Sequence, residues 1–184
     1  GVALSMAILV LGMFMFDSIV YMMDLQFRTI QREDITLTFK EIMPDTVQYE
    51  LANMEGVTEV ETYRMTAARL NSMQHEEEIA VQGLDLNSKM RRIINANGQE
   101  IPVPDSGIII SALLAKRLEV NSGDILNVEW LEGKRLESRV PISGIVEDFI
   151  GVSAYMSKRS LKELTGDSWV VSGAFLKVEE SRRD

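Results

Sequence analysis

The first sixteen residues limit what this chain can fold into more than any other part of it. Val2 to Phe16 is a continuous apolar run, weakly interrupted by Ser5 and Gly12, and Asp17 ends it. A surface helix of a soluble domain has a polar face, and this run has none. A membrane span needs about 20 apolar residues, so we interpret the run as a transmembrane helix truncated at its start. The alternative is a helix buried in a protein core.

Two other kinds of apolar N-terminal segment fit less well. A secretory signal peptide carries a basic region before the apolar run and an Ala-x-Ala-like cleavage site after it, and both are missing here. A pilin-like helix usually carries an acidic residue a few positions in, whereas positions 2–16 contain none. The membrane helix therefore remains the favoured interpretation.

The helix is predicted to continue beyond the apolar run. Apolar residues recur every three or four positions, which is the helical spacing: Phe16, Ile19, Val20, Met23, Phe27 and Ile30. We interpret residues 1–31 as a transmembrane helix followed by a half-buried stalk. An amphipathic helix packed on the soluble domain is the alternative for the second part.

Residues 32–184 have the pattern of an α+β protein, a mixed α/β domain. Alternating side chains over 34–39 predict a strand, Asp45 with Gln48 suggests a helix N-cap and capping box, and residues 57–70 predict a long strand. This order predicts a βαβ-like core. Acidic residues after His75, at 76–78, predict the turn of a hairpin whose second strand is 79–84.

The second half of this domain predicts further short elements. Ser111 and Ser157 are placed to cap two helices, and Gly166 to end the second. Strands are predicted at residues 108–110, 125–130, 135–138, 140–146 and 169–178. We interpret residues 107–150 as a small separate β lobe.

Composition excludes several classes of function. The 184 residues carry a net charge of -9 with scattered Lys and Arg, which argues against nucleic-acid binding because that needs a clustered basic surface. The chain has no cysteine, so it can form neither a disulfide nor a thiolate metal site. No phosphate-binding Gly-x-x-x-x-Gly-Lys-Ser/Thr loop occurs.

The remaining candidates for chemistry are weak. His75 is the only histidine and precedes three glutamates, but adjacent residues point in different directions and make poor metal ligands. Glu147 and Asp148 form a carboxylate pair that fits a charged loop better than acid–base catalysis. We therefore expect no enzyme activity, no metal and no cofactor in this chain.

One segment is a candidate for partner binding. The apolar stretch 149–156, FIGVSAYM, falls between a predicted strand and a predicted helix, where recognition loops are common. The candidate contact residues are Phe149, Ile150, Gly151, Tyr155 and Met156. The alternative is that its aromatic and methionine side chains belong to the core.

Three blocks in order give the chain a resemblance to a known family. They are QFRTIQREDITLTF (26–39), AVQGLDLNSKMRRII (80–94) and the long block 107–151, with its Val120, Gly123 and Asp124 turn. Together they resemble the extracytoplasmic core domain, with its preceding transmembrane helix, of FtsX-like, MacB-like ABC transporter permeases. No single block is specific, and none of them carries a catalytic residue.

The resemblance implies a permease subunit in the bacterial inner membrane, with the residues after about 32 outside the cytoplasm. It implies a separate cytoplasmic ABC ATPase subunit, a permease dimer and a lipid, lipoprotein or peptide substrate or a periplasmic partner. On this interpretation the chain is a fragment, incomplete at its C-terminus. The alternative is an extracytoplasmic sensory or binding domain anchored by one membrane helix.

Overall fold

The structure is a computed structural model that describes residues 2–24, 32–73, 75–95, 99–147 and 151–179. Its first element is helix α1, Val2–Asp24. The helix confirms the predicted secondary structure of the apolar run, while the predicted stalk at 25–31 lies outside the described residues. In the described part of the chain, no helix has both the length and the sustained hydropathy of a membrane span.

In the described residues after α1, the chain forms ten strands and three short helices. The strands are β1 Ile35–Pro44, β2 Val57–Ser72, β3 His75–Leu84, β4 Ile93–Ile94, β5 Glu100–Ile101, β6 Ile108–Ser111, β7 Ile125–Trp130, β8 Glu137–Val146, β9 Ala154–Ser157 and β10 Val170–Val178. The helices are α2 Val47–Ala52, α3 Ala112–Leu118 and α4 Lys158–Thr165. This is the mixed α/β domain that the sequence predicts.

Eight strands form one sheet in the order β1-β10-β2-β3-β9-β6-β8-β7, and β7 also pairs with β2. The second pairing closes six strands into a ring from β2 round to β7. Strand β2 belongs to both parts: residues 57–63 pair with β10, and residues 64–72 pair with β3. The sheet is therefore continuous from edge strand β1 to the closed ring.

The βαβ-like unit is confirmed, with one strand inserted into it. Strands β1 and β2 both run antiparallel to β10, which lies between them, so β1 and β2 are parallel and α2 connects them. This is a split βαβ arrangement. Helix α2 packs Val47 and Leu51 against β10 residues Val171, Ala174 and Leu176.

The closed ring encloses the main core. Seventeen buried residues form one cluster there, among them Trp130, Leu70, Ile110 and Met156. Leu114 and Leu118 of α3 and Leu161 of α4 belong to the same cluster. Burying a side chain of this size contributes about 1.5–3 kcal/mol, so the ring and its two helices form one folding unit.

Three sequence predictions are corrected by this topology. The strands within 107–150 are not a separate lobe, because β6, β7 and β8 complete the ring with β2, β3 and β9. The acidic residues after His75 are in strand β3, where Glu78 pairs with Arg69 of β2, so the turn lies between Ser72 and His75. The two strands predicted at 135–138 and 140–146 are one strand, β8.

The predicted helix caps are confirmed in two cases of three. Ser111 Oγ accepts from Leu114 N and Ser157 Oγ from Ser160 N, as in ordinary N-caps. Gly166 ends α4 with φ +68°. The third cap is wrong, because α2 begins after Thr46 with no side-chain cap hydrogen bond. Gln48 Nε2 does donate to Asp45 Oδ2 at 3.3 Å, while Asp45 Oδ1 accepts from Thr62 Oγ1.

Candidate functional site

The structure separates the residues predicted to bind a partner. Phe149 and Ile150 lie outside the described residues, and Gly151 is exposed with φ +76°. Tyr155 is half-buried in β9 and Met156 is fully buried in the ring core, because residues 154–157 form a strand rather than a loop. Partner binding by this segment stays a prediction, with Gly151 as its described exposed residue.

The two tryptophans, and the described residues among the remaining acidic and histidine candidates, do not assemble into a reactive centre. Trp130 is fully buried and donates from Nε1 to Ser138 Oγ at 3.2 Å, whereas Trp169 is half-exposed with the Lys162 ammonium 4.3 Å above its ring. Among the described residues, no three His, Asp or Glu side chains are placed to hold a metal ion. Glu147 is exposed, and Asp148 lies outside the described residues.

The most organised polar region is the junction, which we define as residues 32–34, 88–92 and 176–179. In this region, residues that follow α1 in the sequence contact the end of β10. Asp34 N donates to Leu176 O at 2.9 Å, and Val178 N donates to Asp34 Oδ2 at 3.0 Å. The first and last residues of the described domain therefore lie side by side.

The segment 88–92 is attached to both sides of the junction. Arg32 N donates to Met90 O at 2.9 Å. On the other side, the Glu61 carboxylate of β2 accepts from Lys89 N at 2.8 Å, Met90 N at 3.2 Å and Ser88 Oγ at 2.7 Å. A carboxylate that accepts three hydrogen bonds holds its donors firmly, so this segment is fixed to β2.

Within the junction a buried ion pair connects residue 33 to the sheet. Arg91 lies 3.1 Å from Glu33 Oε1, and the Glu33 side chain is only 5 % exposed. The Arg91 guanidinium is 4.9 Å from the centre of the Phe175 ring, and that ring stacks on Tyr63 at 4.6 Å. These contacts connect the residues after α1 with β10 and β2.

The stack also reaches the edge strand. Tyr63 Oη donates to Leu37 O at 3.1 Å and lies 3.0 Å from Thr38 Oγ1. A glycine, Gly173, faces Tyr63 across the β10–β2 pair and leaves room for its ring. A chain of contacts therefore runs from Glu33 through Arg91 to residues of β10, β2 and β1.

Two further charged clusters stabilise the opposite side of β2. Lys158 Nζ, 8 % exposed, lies 2.9 Å from Asp85 Oδ2, 3.6 Å from Asp45 Oδ1 and 2.7 Å from Thr62 Oγ1. Next to it the buried Arg64 contacts Glu132 at 2.9 Å. These partners come from distant parts of the chain, which is why the sequence did not reveal them.

At the far end of β2, the charges lie on the surface. Arg69 Nε donates to Glu78 Oε1 at 3.1 Å and its Nη1 to Glu129 Oε2 at 2.8 Å. The Glu78 hydrogen bond, reinforced by the Glu129 charge, raises the pKa of Arg69. An open polar cavity of about 540 Å³ lies beside this cluster, lined by Asn71, Asn127 and residues of β8. It contains no pairing of nucleophile and base among its lining residues.

Comparisons with known proteins identify the fold. No protein-family model and no curated protein matches the chain. The extracellular domain of the noncanonic ABC-type transporter YknZ from Gram-positive bacteria is similar in structure, with a TM-score of 0.53 and 16 % sequence identity over 80 % of this chain and 84 % of that one. The periplasmic region of MacB from Actinobacillus actinomycetemcomitans is similar with a TM-score of 0.53 and 10 % identity, over 77 % of this chain and 67 % of that one.

Both similar structures are domains that lie outside the cytoplasm in ABC-type transporters. Their likeness confirms, at the level of the fold, the resemblance that the three sequence blocks suggest. This chain therefore has the same fold as the extracellular domain of YknZ and the periplasmic region of MacB, the fold that the three sequence blocks suggest.

Proposed function

We propose that this chain is the extracytoplasmic domain and membrane anchor of an ABC transporter permease subunit. The observation that carries the proposal is the likeness of its fold to the YknZ and MacB domains. In this role the domain passes motion of the membrane helices, driven by a separate cytoplasmic ATPase subunit, to a lipid, lipoprotein or peptide substrate or to a periplasmic partner. A permease dimer in the bacterial inner membrane is part of the proposal.

Helix α1 supports the anchor. Its apolar side chains from Met6 to Val20 are 49–69 % exposed on every side of the helix. Its serine at position 18 donates back to Phe14 O at 2.8 Å, so this hydroxyl is satisfied within the helix. A helix that is apolar all round needs an apolar environment, and the hydrocarbon of a bilayer supplies one.

The junction supports the coupling role. A domain that stands between two neighbouring membrane helices needs its first and last residues close together, and Asp34 and Val178 are hydrogen-bonded. The Glu33–Arg91 pair then connects the arriving chain to β10 through Phe175. We infer that force applied at residues 32–34 reaches the sheet through these contacts.

The identity of the partner is the first test. We expect an ATPase subunit to copurify in fixed stoichiometry when the full-length protein is extracted from its native membrane in mild detergent. A kinase or another signalling protein in its place, with no ATPase, would contradict the proposal and favour the anchored sensory domain.

The coupling role has its own test in the same preparation. We expect Glu33→Gln to leave the amount of bound ATPase unchanged and to lower its ATP turnover several-fold, because Arg91 loses its buried partner. Arg117→Gln is the matched control, since it breaks the exposed Arg117–Glu77 pair on α3 and β3. Equal turnover in both variants would show that the junction does not transmit the motion.

A further inference from the structure

A second cavity lies beside the junction. It measures about 290 Å³, and its lining includes the basic residues Lys89, Arg91 and Arg92. The same lining includes the apolar residues Ile93, Ile101, Pro102 and Val103. A cavity lined by both basic and apolar residues is suited to a ligand that has an anionic part and an apolar part.

The charge of this cavity is opposite to that of the whole protein. Three basic residues fall within four positions in a chain with net charge -9. Glu100 is the single acidic residue among those lining the cavity, and it lies 2.9 Å from Arg92. Glu33 pairs with Arg91 and Glu100 with Arg92, whereas Lys89 forms no ion pair among the described residues, so the Lys89 ammonium is the unpaired positive charge of the cavity.

The two arginines are also incompletely hydrogen-bonded. Arg91 Nε and Arg92 Nε are both buried and have no hydrogen-bond acceptor among the described residues. A buried donor without an acceptor is uncommon and calls for an explanation, such as a bound ion. These donors belong to two consecutive arginines, and an anion with several oxygens is a suitable acceptor for such groups, since arginine binds phosphate with paired hydrogen bonds.

The cavity is close to α1 along the chain. Arg32, whose N–H donates to Met90 O, follows Asp24 of α1 by eight residues. Eight residues extend to at most about 28 Å. The basic residues therefore lie within reach of the surface of any membrane that contains α1.

We propose that this cavity binds the phosphate of an anionic phospholipid headgroup in the surrounding membrane. The inference rests on the proposed anchoring of the chain by α1. Lys89 and Arg92 supply the charge for the phosphate, and the apolar side chains of Ile93, Ile101, Pro102 and Val103 pack against the glycerol and the first methylenes of the acyl chains. Lipid bound here lies against the 88–92 segment and therefore against the Glu33–Arg91 pair.

The test is lipid binding by the purified full-length chain in detergent, measured by native mass spectrometry. The probes are phosphatidylglycerol, phosphatidylcholine and inorganic phosphate. We expect phosphatidylglycerol to bind more tightly than phosphatidylcholine. The variant Lys89→Gln/Arg92→Gln should bind phosphatidylglycerol at least several-fold more weakly, because both side chains that supply charge for the phosphate are neutralised.

A matched control separates this effect from a general loss of charge. Lys116→Gln/Arg117→Gln also removes two neighbouring basic residues, one of them paired with a glutamate, from the exposed side of α3. It should bind phosphatidylglycerol as the parent does. Equal weakening in both variants, or no weakening in the Lys89 variant, would overturn the proposal.

Two further measurements show whether the bound phosphate belongs to a lipid, and whether a negative result contradicts the cavity proposal or the proposed anchoring by α1. Inorganic phosphate that binds as tightly as phosphatidylglycerol would overturn the assignment to a lipid. Retention of the parent chain in pure phosphatidylcholine vesicles tests anchoring by α1 alone. Its loss would count against the proposed function, whereas the difference between the two double variants reports on the cavity.

Discussion

At the scale of single residues, the buried Lys158 shows how the domain uses its charges. The ammonium is placed at the first residue of α4 and receives its acidic partners from the loop before α2 and the loop after β3. Because Asp85 is half-exposed, the pair is only partly shielded from water. Its main effect is to hold these two loops against the start of α4.

Removing this ammonium should destabilise the fold. We expect Lys158→Met to lower the free energy of unfolding by about 2 kcal/mol, less than for a fully buried pair because Asp85 is exposed to water. Chemical denaturation in detergent measures the change. Lys116→Met, at an exposed position of α3, should change it by less than about 0.5 kcal/mol. A Lys158 variant as stable as the parent would show that apolar packing alone holds the loops of Asp45 and Asp85 against the start of α4.

The contacts of Lys158 help to explain which of the predicted helix caps form. Ser111 and Ser157 cap through a hydrogen bond to a residue three positions on, so the pattern is visible locally. Asp45 has the same local pattern, but Thr62 Oγ1 donates to its Oδ1 at 2.6 Å and Lys158 lies beside it. Competition from residues distant in sequence therefore overrides the local preference.

At the scale of elements, the fit between β1 and β10 depends on a glycine. A Cβ atom added to Gly173 would overlap Leu37 O of β1 and Tyr63 Oη of β2. Gly173 lies directly opposite Tyr63 in the antiparallel pair, so the ring occupies the space that a side chain would take. Three strands and the aromatic stack of the junction meet at this position.

A methyl group at this position should therefore disturb the sheet. We expect Gly173→Ala to lower the free energy of unfolding by about 1–3 kcal/mol, as overpacking in a core does. Gly144→Ala in β8 is the control, since its added Cβ would make an ordinary contact at 3.7 Å to Ile109 Cγ1. Thermal unfolding of both variants compares their stabilities. Equal stability would mean that β1 can move away from β10 without lowering the free energy of unfolding.

Strands were predicted correctly where the alternation of apolar and polar residues was sufficient. They were predicted wrongly where pairing with another strand determined the conformation. Strand β7 was predicted with its observed limits, because Ile125 to Trp130 alternates buried and exposed positions. The residues from His75 to Glu78 were predicted as a turn because they are charged. They extend β3 instead, because their neighbours on β2 include Arg69, which neutralises Glu78.

At the scale of the whole molecule, α1 decides whether the chain is a membrane protein. Met13 lies near the middle of the helix and is 62 % exposed. We expect Met13→Arg to reduce the fraction of full-length chain that stays in membranes after alkaline extraction, because an arginine at the centre of a span costs about 2.5–3.5 kcal/mol. Met13→Leu should leave that fraction unchanged. Equal extraction of the two variants would contradict anchoring by α1.

The closure of the sheet could not be predicted from the sequence. Parallel pairing of β3 with β9 and antiparallel pairing of β2 with β7 join residues far apart in the chain, and nothing in the strand patterns encodes these partners. The junction was missed for the same reason, since Glu33 and Arg91 are recognisable only once β10 brings Phe175 beside them. The family resemblance supplied the fold class, whereas the contacts required the structure.

Strand β2 gives the domain a mechanical property. Its sixteen residues run without a break from Val57, which pairs with Val178 beside the junction, to Ser72 at the hairpin whose next residue, Met73, is fully exposed. Extended chain of this length has a contour of about 50 Å. No loop interrupts it, although its partner changes from β10 to β3 after Tyr63. On the proposed function, we expect a tilt of the domain at the junction to produce a larger displacement at the hairpin, because the hairpin is at the opposite end of this strand.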